Sequence, residues 1–279
     1  SKFLPIAFLG LLLLALGCAG GGGGSSSGGS SSGRPVCSTS LFSPNYILNR
    51  DPATGSLNRT LYWSNFPLRV AFRSNRTFPD GFGGTISVAA VAADAFGRWR
   101  HDTGGRVDFS IVGAADPAEI TVQVVEVPGR PGAGGTLGQT QMRFVEPSGR
   151  LTEAEITLYV WPGITRAELT QGLRATSAHE FGHALFLLGH SENPADLMHT
   201  TINPTEDKFL TSADLNSLRT GYCDTFSRLR EESRAPLGPI RTVVIGVRAA
   251  ATERPLTLIG QAPRQADRKS TRLNSSHLV

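Results

Sequence analysis

Charge is scarce and scattered in this chain. Only 18% of its 279 residues are charged, and the 27 lysines and arginines form no run of five or six and no platform interleaved with aromatics. Nucleic acid is held by a continuous basic footprint or by stacking rings. The pI of about 9.2 therefore reads as a solvated surface, and no nucleic-acid partner is expected. Apolar runs long enough for a bilayer are missing too. Phe3 to Leu16 would span about 21 Å as a helix, short of a hydrocarbon core of roughly 30 Å. Cysteine numbers three, an odd count that leaves one thiol over in an exported chain.

What is present begins with a leader. Lys2, the apolar run and the small residues after it have the form of a signal peptide over residues 1–18. The run closes on Ala15-Leu16-Gly17-Cys18, which resembles the lipobox of bacterial lipoproteins. That resemblance implies an acylated Cys18 and a place in the cell envelope, with the membrane touched through the lipid alone. Ala15 stands where leucine is commoner, and an ordinary secretory signal is the alternative. Residues 19–36 are dominated by glycine and serine, a flexible tether that cannot bury a core. With Cys18 lipidated, Cys37 and Cys223 remain and flank the globular region, so a disulfide between them suits an oxidising compartment. Two unpaired buried thiols are the alternative.

The globular region is expected over residues 37–225. Pro67 to Phe72 reads as a short strand. Thr85 opens a helix to about Arg100 with Ile86, Ala89, Ala90, Ala93 and Phe96 on its apolar face. Arg106 to Val112, Glu119 to Val127 and Ala154 to Val160 alternate as strands do. Thr136 to Phe144 follows the Gly/Pro-rich loop Pro128 to Gly135 as a further strand. Thr165-Arg166-Ala167-Glu168 has the form of a capping box opening a helix to about Leu188. Thr211, with Asp214 three residues on, opens a last helix. Strand, helix, strands, helix, loop, helix describes one α/β domain, with Trp63, Trp99 and Trp161 as packing residues. Residues 226–266 read as a poorly ordered extension, in which Thr242 to Val247 makes a strand with nothing nearby to pair with. Residues 267–279 resemble translated adapter sequence, a native disordered tail being the alternative.

Chemistry is concentrated in His179-Glu180-Phe181-Gly182-His183. On a helix the two histidines lie one turn apart on one face and can converge on a single Zn²⁺. Glu180 beside them can reach a water in the open coordination position and act as general base. His190 is the candidate third ligand. A continuous helix would hold its Cα about 16 Å from that of His179, too far for two imidazoles to share one ion. The helix must therefore end before His190, and Gly189 is where a left-handed turn comes without strain.

Residues 179–191, H-E-F-G-H-A-L-F-L-L-G-H-S, resemble the zinc helix of matrixin-type metzincins, whose pattern is H-E-x-x-H-x-x-G-x-x-H with a following Ser. Ser191 takes that last place. Phe186 stands where the family has glycine, and one extra residue precedes His190, a spacing shared with some bacterial relatives. Asp196-Leu197-Met198 matches the family's Met-turn, with Met198 beneath the metal. Leu210 to Tyr222 is similar to its closing helix, with Asp214 at the second acidic position and Ala213 replacing the first. The resemblance implies an α/β (α+β) zincin domain with a twisted mixed sheet, an antiparallel edge strand, two main helices and a short C-terminal helix. It also implies one catalytic Zn²⁺ and a zinc-dependent endopeptidase, monomeric, acting on a protein or peptide that adds as a strand against residues 136–144. No His lies between positions 102 and 178, so the family's second, structural zinc has no ligands, and structural Ca²⁺ has no support in the sequence. No P-R-C-G-V-type cysteine segment precedes the domain, so no latency device of that type is visible in the sequence.

Other readings stay open. His199 is a rival third ligand. Glu192 or Glu206 in that place would make a gluzincin-like site, and Met198 is read otherwise as a core residue. Thr200 occupies the place of a zinc-ligating Tyr in other metzincin families. His101 and His277 read as exposed. Phe186 motivates a second function of a different class, a tethered binding lipoprotein on an inactive protease scaffold.

Overall fold

Buried and exposed residues alternate along the central strands, and that alternation lays six of them into one mixed sheet. The computed structural model describes residues 38, 40–146, 148–223 and 238–251. The leader, Cys18, the tether, Cys37, His277, the 267–279 tail and most of the 226–266 extension lie outside the described residues.

In chain order come β1 (Arg59–Thr60), β2 (Leu68–Phe72), β3 (Thr77–Pro79), β4 (Thr85–Ser87), α1 (Val88–Asp102), β5 (Phe109–Val112), β6 (Ile120–Glu126), β7 (Gly138–Val145) and β8 (Arg150–Val160). A π-helical turn (Glu168–Gly172) then leads into α2 (Leu173–Leu185), followed by β9 (Leu187–Leu188), β10 (Thr201–Ile202), α3 (Ser212–Tyr222), β11 (Ile240–Ile245) and β12 (Arg248–Ala249). The sheet runs β11-β7-β8-β6-β2-β5. Its β5, β2, β6 and β8 are mutually parallel, β7 is antiparallel to β8, and β11 is antiparallel to β7.

Two expectations shift. Thr85 does not cap α1, because Thr85–Ser87 pairs with Thr77–Pro79. Ser87 is the cap, its side chain accepting from Ala90 N–H, and the buried face moves with it to Val88, Val91, Ala92, Ala95, Phe96 and Trp99. The segment around Thr242 to Val247 does have a partner: β11 lies along the outer edge of β7, with Ile240 opposite Val145 and Ile245 opposite Thr140. The described part of the extension thus holds the strands Ile240–Ile245 and Arg248–Ala249.

The core fills the space between the sheet and the two long helices. Phe96 of α1 stacks on Phe181 of α2 at 4.2 Å between ring centroids, and Phe109 of β5 meets both edge-on. Each such buried ring contributes about 1.5–3 kcal/mol. Trp63, Trp99 and Trp161 are buried as expected. The Thr165–Glu168 capping box forms: Thr165 N–H donates to Glu168 Oε2 at 2.7 Å and Glu168 N–H to Thr165 Oγ1 at 3.2 Å. The box at Thr211 and Asp214 forms as well.

Candidate metal centre

The zinc-helix segment stops three residues before the expected Leu188. Phe186 closes α2 with φ −160°, a negative φ open to residues other than glycine, and its ring is buried beside Trp99 at 5.8 Å. Glycine is therefore not required at that position. Carbonyls of the last helical turn, which lack helical donors, are taken by side chains: Trp63 Nε1–H donates to Ala184 O at 2.8 Å and Tyr222 O–H to Leu185 O at 2.7 Å. Gly189, as expected, makes the turn, with φ +131°. A Cβ there would lie 1.9 Å from Asn58 Oδ1, so the position needs glycine for space as well as for conformation. Asn58 Nδ2 donates to His190 O at 2.9 Å and fixes the loop that returns His190 to the helix.

His179, His183 and His190 are all buried, and their ligand atoms lie within 4.8 Å of one another. Each Nδ1 faces an acceptor: Leu197 O at 2.8 Å, Leu187 O at 2.9 Å and Asp51 Oδ1 at 2.9 Å. Carbonyl and carboxylate oxygens only accept, so each Nδ1 carries its proton and each Nε2 turns a lone pair inward. His179 and His183 then oppose two acceptors at 3.0 Å, and His190 Nε2 is buried with no hydrogen-bond partner. Burial first, and the neighbouring histidines second, hold His179 and His183 well below the ordinary imidazole range. Orphaned buried acceptors are costly. One cation among the three removes that cost, so the donor set fits a zinc ion.

Asp51 joins the site from 139 residues away with no local sequence signal. Burial pushes its carboxyl up, but hydrogen bonds from His190, Thr54 and Ala53 N–H outweigh that and bring it down to about 2. It is a carboxylate at neutral pH and orients His190.

Glu180 is buried beside the triad. Oε2 accepts from Thr140 Oγ1 at 2.7 Å and Oε1 from Val247 N–H at 3.0 Å. Burial pushes the carboxyl up to about 8, against both hydrogen bonds. Met198 lies under the helix, where a Cβ on Gly182 would meet its sulfur at 2.4 Å. Asp214 holds this turn: its oxygens accept from Leu197 N–H at 2.9 Å, Met198 N–H at 3.2 Å and Tyr46 O–H at 2.9 Å. Ser191 Oγ donates to Asp196 at 2.6 Å. His199, Glu192 and Glu206 do not join the cluster, which among the described residues consists of the three histidines, and His101 is exposed.

The matrixin family model matches residues 70–223, more than half of the chain. The chain belongs to the matrixin family. No curated protein matches it. Matrixins are peptidases, and family membership with the histidine triad supports zinc metalloendopeptidase activity in general terms. In this matrixin the motif residues His179, Glu180, His183, His190 and Met198 come together as their spacing requires. Asp51, Asn58, Thr140 and Val247 reach the site without any local signal. Asp51-Pro52-Ala53-Thr54-Gly55 reads as a turn by composition, but nothing in it points to a histidine 139 residues away.

Proposed function

We propose that this matrixin is an active endopeptidase in which His179, His183 and His190 hold one zinc and Glu180 moves the proton. The observation that carries the reading is the convergence of three inward Nε2 lone pairs beside a buried carboxylate that already touches a backbone amide. Bound there, zinc supplies Lewis-acid chemistry, bringing a water's pKa toward about 7 and polarising a carbonyl. The protein's part is positional and protolytic. Nδ1 contacts to Leu197, Leu187 and Asp51 fix the three rings. Glu180 takes a proton from the attacking water and hands it to the departing amide nitrogen, so one water is consumed per peptide bond cut. Burial that raises the Glu180 carboxyl makes it a strong enough base for the first transfer and an acid for the second.

The rest of the reading concerns place. An acylated Cys18 in the cell envelope is supported by the Ala15-to-Cys18 sequence and the tether behind it. A disulfide between Cys37 and Cys223 is supported by their positions at the two ends of the globular region. An inactive binding scaffold is the second reading, motivated by Phe186, and the negative φ at that residue favours the enzyme.

The test is metal analysis of the chain with cleavage of a denatured protein, against Glu180→Ala. The expected result is stoichiometric zinc in both and chelator-sensitive cleavage in the parent alone. Cleavage that survives in Glu180→Ala sinks the mechanism.

A further inference from the structure

The outer edge of β7 is where an extended peptide would add as a strand, and in this chain that edge is taken. β11 pairs along it antiparallel from Ile240 opposite Val145 to Ile245 opposite Thr140. The pairing continues across the site. Val247 N–H donates to Gly138 O at 3.2 Å and Leu137 N–H to Val247 O at 3.0 Å, while Ala249 N–H donates to Gly135 O at 2.8 Å. On the opposite side β12 runs parallel to β10, with Arg248 N–H donating to Thr200 O at 3.0 Å and Ala250 N–H to Ile202 O at 2.8 Å. The segment is clamped between two strands, and Val247, wholly buried, presents its N–H to Glu180 at 3.0 Å.

We infer that residues 238–251 fill the peptide groove from within the chain and hold the enzyme closed. The inference rests on the endopeptidase reading above. Three features make this more than an extra sheet strand. A strand edge offers one row of N–H and C=O groups, so a substrate and β11 exclude one another. The amide nitrogen against Glu180 belongs to the Gly246–Val247 bond, which places that bond where a leaving nitrogen would receive its proton. Gly246 approaches so closely that a Cβ would lie 2.3 Å from Gly138 O and 2.8 Å from Gln139 Cα, a seat shaped for this residue. An intrachain occupant competes at an effective concentration on the order of millimolar, so a micromolar substrate loses to it. Its hold is mostly backbone hydrogen bonding, which an incoming peptide can replace bond for bond.

The test uses full-length zinc-loaded chains. A fluorescent synthetic peptide of residues 238–251 is titrated into Glu180→Gln, which does not cleave it, with and without Gly246→Val. The strap-displaced double variant should bind the probe at least about tenfold tighter, because the fraction of open groove scales the apparent affinity. Hydrogen exchange should show β7 amides deprotected and α2 amides still protected, which establishes that the variant is folded. Arg248→Pro, which removes the N–H to Thr200, should move probe binding the same way by a smaller factor. With Glu180 present, Gly246→Val should cleave a quenched fluorogenic peptide about tenfold faster than the parent. Equal probe affinity in both chains, or no binding by the folded double variant, overturns the inference. So does mass spectrometry showing the parent cut between Gly246 and Val247 once zinc is added, since the segment would then be a first substrate and not a block. If neither chain cleaves but the probe still separates them, the endopeptidase reading fails and the groove occupant stands.

Discussion

The floor and the roof of this site are held by different means. The floor is a single stretch from His179 to Met198, fixed by buried side chains: Nδ1 atoms on chosen acceptors, Asp214 on the amides of the turn, Trp63 and Tyr222 on the end of α2. The roof is β7 with residues 238–251, fixed by backbone-to-backbone pairs. Side-chain contacts name their partner, and removing one leaves a buried group unsatisfied. Backbone contacts name no partner, and any extended peptide can make them. The floor is therefore built to stay, and residues 238–251 of the roof can be exchanged for substrate.

His183→Ala should break the floor most severely. Its Nε2 has no substitute among the described residues, so bound zinc and hydrolysis should both fall to background. Metal analysis beside a cleavage assay checks this, and hydrolysis that persists without zinc would end the metal reading. Glu180→Ala should spare the floor and still stop the chemistry, with zinc retained and kcat down by about 10²–10⁴-fold, the usual worth of a positioned general base. Cleavage that falls together with lost zinc would instead make Glu180 part of the floor. Third comes Asp51→Ala, which leaves His190 without its orienting acceptor and should weaken zinc binding about 10–100-fold. Competition with a chelator measures it, and an unchanged affinity would mean that Asn58 and the backbone alone fix the ring.

The same contrast explains what the sequence made legible. His179, Glu180, His183, Gly189, His190 and Met198 sit within 20 residues and each has a local reason for its type: helical spacing, a left-handed turn, a fixed interval. The capping boxes at Thr165 and Thr211 are local too, and both form. Asp51, Asn58 and Thr140 act through distance. Asp51 lies 139 positions from His190 and Thr140 lies 40 from Glu180, and no window along the chain contains both ends. The strand at Thr242 to Val247 was readable as a strand by its residues, but its partner was not, because pairing through the backbone leaves no mark on either sequence. The start of α1 failed for a related reason: Thr85 is a good cap by type, but it is drawn into the β3–β4 pair, and Ser87 serves instead.

The smallest effect probes where floor and roof meet, at the Glu180 carboxyl. In the metal-free protein burial raises it from an ordinary 4.5 to about 8. Between those values the folded protein keeps the proton and the unfolded chain releases it, so the folded state binds more protons and loses stability as pH rises. The contribution is fully present below about pH 4.5 and is gone once pH has passed through about 8. His179 and His183, held below their ordinary range by burial, act with the opposite sign, gaining stability as pH rises toward about 6.5. A comparison with Glu180→Gln cancels them. Between pH 6 and 7 the stability of Glu180→Gln relative to the parent should rise by about 1 kcal/mol, close to the limiting slope for one proton. Chemical denaturation of both metal-free chains at each pH measures it. A parallel pair of profiles would mean that Glu180 is ionised without the metal, with the Thr140 hydroxyl and the Val247 amide outweighing burial.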